Sequence, residues 1–410
     1  MVRKSPHLRA ALCLYVPNRH WFFGDGMVHG VALADGEAKW YRNRWVRTRP
    51  YLEGDETAIL VGPDGSVDHT VAKANTHIVG HAGRILALVE SSFPTEMTRE
   101  LETVGNYDFC GKLTTAMTAH PKFCPVTGEM HFFGYGLAPP YLTYHRADAA
   151  GELVQSEVIE VPGPTMMHDF AITEQHVIFM DLPVVFDAER AAQGTMPYAW
   201  SDDYGARLGI MPRGGGGAEV RWFEIEPCYV FHPLNAYAEG NEVVLDVARY
   251  PEIWRSSPAD FSRACLHRYR VDLGSGRVRE EPLDDLNIEF PRVDPRREGR
   301  PHRFGYAVGI DLLTSQSSSA LVQYDLARGR TTTHDFGPGR MPGEGVFVPA
   351  SADAAEDEGW VLSYVYDVAR DASSLVVLDA AVFDKPPVAS VALPQRVPFG
   401  FHGSWIPDPA

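Results

Sequence analysis

The chain has 410 residues, 45% of them hydrophobic and 22% charged, with 37 glycines and a formal net charge of −17. That balance describes a globular protein with a sizeable core and excludes disordered and fibrous classes. The acidity, and the shortness of the basic clusters Arg296-Arg297 and Arg300 to Arg303, argue against a nucleic-acid footprint.

The N-terminus, "MVRKSPHLRAALCLYVPNRH", has a basic start and a weak apolar run broken by Pro17 and Asn18, which makes a poor signal peptide. Cys13, Cys110, Cys124, Cys228 and Cys265 form no CxxC pair and no regular spacing, so reduced thiols in a cytoplasm are expected. No stretch reaches the roughly 20 apolar residues of a membrane-spanning helix, so membrane contact is expected to be peripheral at most.

Along the chain, short β-rich runs alternate with turn signals. Hairpins are predicted in "VHGVALADGEAKWYRNRWV", "YLTYHRADAAGELVQSEVIEV", "CLHRYRVDLGSGRVREEPL", "ALVQYDLARGRTTTHDF" and "SLVVLDAAVFDKPPVASVAL", with turns at Asp35-Gly36, Gly274 to Gly276 and Arg328-Gly329. In the last three, an apolar strand ends near an aspartate (Asp272, Asp325, Asp379) at intervals of about 50 residues, a propeller-like period. A β-propeller is the preferred architecture, and a pair of β-sandwich domains is the alternative that the pattern leaves open. Two stretches read differently: "TEMTRELETV" (95–104) as a short helix, and 187–217 as helix, aromatic loop and glycine hinge.

Among 16 histidines, four sit beside small or rigid residues at the edge of a β-rich run: His120, His168, His232 and His402. Separations of 48, 64 and 170 residues exclude a zinc finger or an HExxH helix. They suit a radial fold in which several blades each send one imidazole to a shared axis, and imidazole is a good ligand for iron, copper, nickel or zinc.

Taken in order, "ANTHIVGHAGRILALVE", "TAHPKFCPVTGEMHFFGYG", "MMHDFAITEQHVIFMDLP", "GEGVFVPA" and "FGFHGSW" resemble the carotenoid cleavage oxygenases, from about His20 to Trp405. That family includes the apocarotenoid and lignostilbene dioxygenases and the retinoid isomerase. The resemblance implies one domain over 1–410, a seven-bladed β-propeller capped by helices and loops, with cap insertions around 91–118 and 187–217. It also implies one Fe(II) per subunit on the axis, held by His120, His168, His232 and His402, with O₂ as co-substrate. Four neutral imidazoles around an octahedral ion leave two positions open, whereas a tetrahedral zinc site would be closed.

By the same resemblance Glu90, Glu289 and Glu344 take the far ring nitrogens of three ligands, and Thr76 lies close to the metal and crowds one open position. His77, His81 and His131 match no ligand position and read as structural. His20 and His29 match a motif near the start of bacterial members, where Asp25-Gly26 reads as a tight turn. Val89 stands where the lignostilbene branch has a substrate-binding lysine, which favours a carotenoid or apocarotenoid. Phe93, Phe133, Tyr135, Tyr198, Trp200 and Phe401 are the aromatic candidates for a tunnel wall.

The expected reaction is oxidative cleavage of a conjugated C=C bond to two carbonyl products, by a cytoplasmic enzyme with no obligate protein partner. The rivals are a stilbene-cleaving dioxygenase or polyene isomerase on the same fold, and a lipid- or metal-binding propeller without catalysis. Two departures from the family stand out: a short N-terminus, expected to leave one blade open-edged, and Gly345 in place of a common proline, expected to loosen the loop of Glu344.

Overall fold

The computed structural model describes residues 21–54, 61–62, 66–310 and 320–408. The stretch read for a signal peptide, with Cys13 and His20, lies outside the described residues. Valine-, leucine- and aromatic-rich runs pair in sequence order into antiparallel sheets, whose central strands bury one face or both.

Six such sheets form the blades of an all-β propeller. The first blade runs through His77–His81, Arg84–Leu88, Thr95–Met97 and Thr103–Asn106, and the second through Lys122–Phe123, Met130–Tyr135, Leu142–Ala147 and Leu153–Val158. The third contains Ala171–Ile172, His176–Asp181, Arg207–Pro212 and Arg221–Glu224. Into it is inserted a helix, Ala188–Ala192, flanked by a two-stranded pair, Val184–Phe186 with Tyr198–Trp200. The fourth and fifth blades begin with Tyr229–Glu239 and Ile288–Arg292, and the sixth is five-stranded around Gly359–Asp367.

Seven blades were expected, and the described residues form six. Met27–Ala34 and Glu37–Trp45 make only a two-stranded ribbon, closed by Asp35 and Gly36 at φ 54° and 73° as the turn requires. The ribbon packs between the sixth and first blades. The Tyr364 hydroxyl donates to the His29 carbonyl (3.2 Å), Gln395 donates to Asn43 (2.6 Å), and Arg44 pairs with Glu102 (3.0 Å). Asp25-Gly26 is not a tight turn. Gly26 donates to the Lys73 carbonyl, and a Cβ on it would lie 2.1 Å from the Ala74 oxygen, so close backbone approach excludes any side chain there.

Segment 95–104, expected to be helical, forms the third and fourth strands of the first blade. Thr95 and Met97 alternate inward, and the chain reverses at Leu101 (φ 65°), whose amide donates to the Thr98 carbonyl (3.0 Å). Burial of alternate residues outweighed the helix propensity of its glutamates. Asp272, Asp325 and Asp379 end equivalent third strands of the fourth, fifth and sixth blades. The Asp272 carboxylate takes the amides of Gly274 (2.8 Å) and Ser275 (3.1 Å), and that of Asp379 takes Ala381 (2.9 Å).

Ring closure joins distant parts of the chain. The His402 amide donates to the Thr76 carbonyl (3.2 Å), Ile406 packs on Gly80, and Arg99 pairs with Asp408 (2.6 Å). The end of the described chain therefore lies along the first blade.

Two buried histidines away from the centre tie stability to pH. Burial pushes His145, held between Thr115 and Ser156 at 2.8 Å each, from 6.5 down to about 4, and it does the same to His302. Both rings are neutral in the fold, so below pH 6.5 the unfolded chain gains protons that the folded chain refuses. Stability should fall between pH 6.5 and 4 by about 1.4 kcal/mol per pH unit for each ring, with no such loss above pH 6.5. His145→Gln should flatten that slope by one ring's share in urea titrations at stepped pH; an unchanged slope would mean that His145 is protonated in the fold.

Candidate metal centre

The blades deliver the four histidines from different positions of their innermost strands. His120 and His168 stand just before Lys122–Phe123 and Ala171–Ile172. His232 lies inside Tyr229–Glu239, where the pairing register shifts between Val230 and Pro233; the irregularity re-aims its side chain. His402 arrives after the sixth blade and is pinned to Thr76.

All four rings are buried and converge. Ring centroids lie 4.4 Å apart for His120 and His168, 4.6 Å for His120 and His402, 4.8 Å for His232 and His402, and 5.0 Å for His168 and His232. The Nε2 atoms of His168 and His232 face each other at 3.2 Å. One nitrogen each from His120, His232 and His402 falls within a 4.8 Å group.

Three of the far nitrogens meet carboxylates. His232 Nδ1 donates to Glu289 (2.5 Å), His402 Nδ1 donates to Glu344 (2.9 Å), and His168 Nδ1 pairs with Glu90. Because a carboxylate only accepts, each ring carries its proton on Nδ1 and turns the Nε2 lone pair inward. His120 is the exception. Its Nδ1 is 3.7 Å from Asp169, which is itself paired with Lys122 (2.8 Å), and its Nε2 is buried without a hydrogen-bond partner.

Burial, then the neighbouring imidazoles, holds His120 and His402 well below the ordinary histidine range. Burial works against charge on His168 too, but the carboxylates of Glu90, Asp169 and Glu289 together outweigh it and raise that ring. A buried, unpartnered Nε2 facing other inward lone pairs fits a divalent cation that favours nitrogen donors.

Thr76 donates its hydroxyl to Asn75 (3.0 Å) and offers its carbonyl to His402. Glu344 is buried, also takes the Gly403 amide (3.0 Å), and lies 3.7 Å from Arg292. The expected loosening at Gly345 has no counterpart in the packing: a Cβ there would lie 3.0 Å from Val361. His77 adjoins His402 (5.1 Å), but both its nitrogens are engaged, by the Ala119 carbonyl and Ser404. His81 bonds the Gly128 carbonyl, His131 sits between Tyr144 and Arg213, and His29 bonds Tyr41.

Of the aromatic candidates, Phe401 packs on Phe22 (5.5 Å). Tyr135 and Tyr198 join the largest apolar cluster at its edge, and Trp200 donates to Asp202 at the end of the inserted pair. Phe93 packs with Leu86, Leu88 and Phe109 in the first two blades, and Phe133 lies fully buried against Phe170. Val89 is half-buried beside Glu90.

The rings that touch the histidines were not singled out from sequence. Phe290 stacks on His232 (5.3 Å, 29°) and meets His402 edge-on (5.3 Å, 67°), while Phe231 meets His168 edge-on (5.1 Å, 87°). Trp254 backs Phe231 (5.8 Å) and reaches Phe22 (6.3 Å). Phe231 and Phe290 directly precede His232 and follow Glu289 in sequence, a signal available to adjacency; Trp254 carried none.

The family model described as retinal pigment epithelial membrane protein matches residues 2–407. A carotenoid cleavage oxygenase of Mycobacterium tuberculosis is 41% identical over 95% of this chain and 88% of its own length. The carotenoid 9,10(9',10')-cleavage dioxygenase 1 of Arabidopsis thaliana is 33% identical over 96% and 82%. Among solved structures, the lignostilbene dioxygenase of Pseudomonas brassicacearum superposes with a TM-score of 0.85 at 32% identity, covering 95% of this chain and 88% of that one. A cobalt-substituted ACO of Synechocystis superposes at 0.83 and 28% identity, covering 95% and 89%. With matches of this extent, the chain belongs to the carotenoid cleavage oxygenase family.

Proposed function

We propose that this protein is an Fe(II)-dependent dioxygenase that cleaves a conjugated C=C bond of a carotenoid or apocarotenoid, adding both atoms of O₂ to give two carbonyl products. The observation that carries the reading is the convergence of four buried imidazoles, three backed by carboxylates and one with an unpartnered inward nitrogen. His120, His168, His232 and His402 would hold the ion, which when bound supplies the O₂ activation that side chains lack.

The chain itself supplies position and dryness. Glu90, Glu289 and Glu344 fix the ring tautomers, and Phe231, Phe290 and Trp254 surround the imidazoles with apolar surface that excludes water and suits a polyene. Val89 gives that surface no charged partner for a phenol, and the relatives named for carotenoid cleavage favour the same substrate class. Thr76, tied through its carbonyl to His402, is assigned to limit access at one open position. Within segments 91–118 and 187–217, the parts outside the blade strands Thr95–Met97, Thr103–Asn106 and Arg207–Pro212 are assigned to cover the site in a single domain. Among the described residues no helix is long and apolar enough to cross a membrane; a cytoplasmic protein that collects its lipid substrate at a membrane surface fits the reading.

The structural likeness to a lignostilbene dioxygenase supports a second reading, stilbene cleavage. Protein reconstituted with Fe(II) under air should bleach a β-apo-carotenal and leave resveratrol intact, with aldehyde lengths by mass spectrometry locating the cut. Cleavage of resveratrol alone selects the second reading, and bound iron without turnover of any polyene selects a binding-only protein.

His232→Ala should lose iron and turnover together while keeping its β-rich circular dichroism; full iron and turnover would remove His232 from the ligand set. Glu289→Gln should weaken metal retention by about 10- to 100-fold, because it removes orientation and charge but no ligand. Metal titration of the purified variant checks this, and unchanged affinity would leave Glu289 without a role at the centre.

A further inference from the structure

We propose that Tyr135 is a positioning residue for this centre: its hydroxyl, donated to Glu90 Oε2 at 2.5 Å, locks the carboxylate that is paired with His168 Nδ1. The inference rests on reading the four imidazoles as a metal site.

The three glutamates differ in how their second contact is made. Glu289 takes the amide of the next residue, Phe290 (2.7 Å), and Glu344 takes the amide of Gly403, beside the histidine it orients (3.0 Å). Those anchors are backbone and survive any side-chain change. Glu90 is held on its other oxygen by a side chain from a different blade, at the end of strand Met130–Tyr135. The orientation of His168 therefore depends on one phenol.

That phenol is a dependable donor. Burial, then the adjacent Glu90 charge, pushes it well above its ordinary range, so it keeps its proton. Tyr198, from the inserted strand pair, lies close enough to Tyr135 for the two phenols to influence each other. The insertion thus adjoins Tyr135 through Tyr198, and Tyr135 reaches His168 through Glu90. Without the Tyr135 hydroxyl, Glu90 Oε2 would be a partly buried carboxylate oxygen lacking this partner, free to rotate and release the ring.

The test uses the full chain stripped of metal and titrated with Co(II), followed by visible absorption and calorimetry. Tyr135→Phe removes one oxygen and should weaken Co(II) binding about tenfold, with an altered cobalt spectrum and unchanged circular dichroism. Tyr144→Phe, which removes a buried tyrosine hydroxyl of the same blade bonded to His131, should leave Co(II) affinity unchanged. Because Tyr135 acts through Glu90, Glu90→Gln and the double variant Glu90→Gln/Tyr135→Phe should bind Co(II) equally.

Wild-type affinity in Tyr135→Phe, or losses that add in the double variant, would overturn the proposal while leaving the metal reading intact. Failure of the wild-type chain to bind Co(II) would overturn both. If Tyr135→Phe does not fold, Tyr135→Leu, which also lacks the hydroxyl, must weaken Co(II) binding for the proposal to stand.

Discussion

Four imidazoles meet in the middle of a protein only if something takes the proton on the far side of each ring. Here three carboxylates face those sides, and the Nδ1–H bonds of His232 and His402 to Glu289 and Glu344, with the close pairing of His168 Nδ1 and Glu90, dictate which nitrogen faces inward. The buried carboxylates of Glu289 and Glu344 and the partly buried one of Glu90 would be costly alone, and each is accepted because its ring, a backbone amide or a phenol contacts it. The tautomer, the orientation and the burial of the charges are a single arrangement.

A propeller provides that arrangement because its innermost strands lie side by side while their sequence positions are far apart. The cost is that no blade carries a complete site. His120 comes from the second blade, His168 from the third and His232 from the fourth, whereas Glu289 and Glu344 come from the fifth and sixth. The backbone bends where the site requires it: the register shifts at His232, and Phe290 takes a positive φ of 53° beside Glu289.

Hairpins were legible wherever a turn residue and an alternating run agreed, as at Asp35-Gly36, and the repeated aspartates end equivalent strands; the carboxylates of Asp272 and Asp379 cap the turns that follow, whereas that of Asp325 pairs with Arg303. Segment 95–104 was misread because three glutamates mimic helix propensity on a strand pair whose alternate residues are buried. The number of blades was not legible from hairpins, since a two-stranded ribbon and the start of a full blade look alike in sequence. The four histidines were legible through motifs, and the structure brings them together. The aromatic rings against them were less so, because neighbours such as Phe290 and Trp254 are created by backbone geometry that composition does not report. Tyr135 was singled out for its ring, while its hydroxyl makes the contact that matters.

The seam between His402 and Thr76 also orders events during biosynthesis. The ribosome delivers His402 only after every sheet has been made, so three rings can gather on a nascent chain while the fourth is still absent. An ion captured at that stage would sit in an incomplete cage and exchange readily. For the proposed metal, secure loading would therefore depend on joining the late segment to the first blade, the same step that closes the ring.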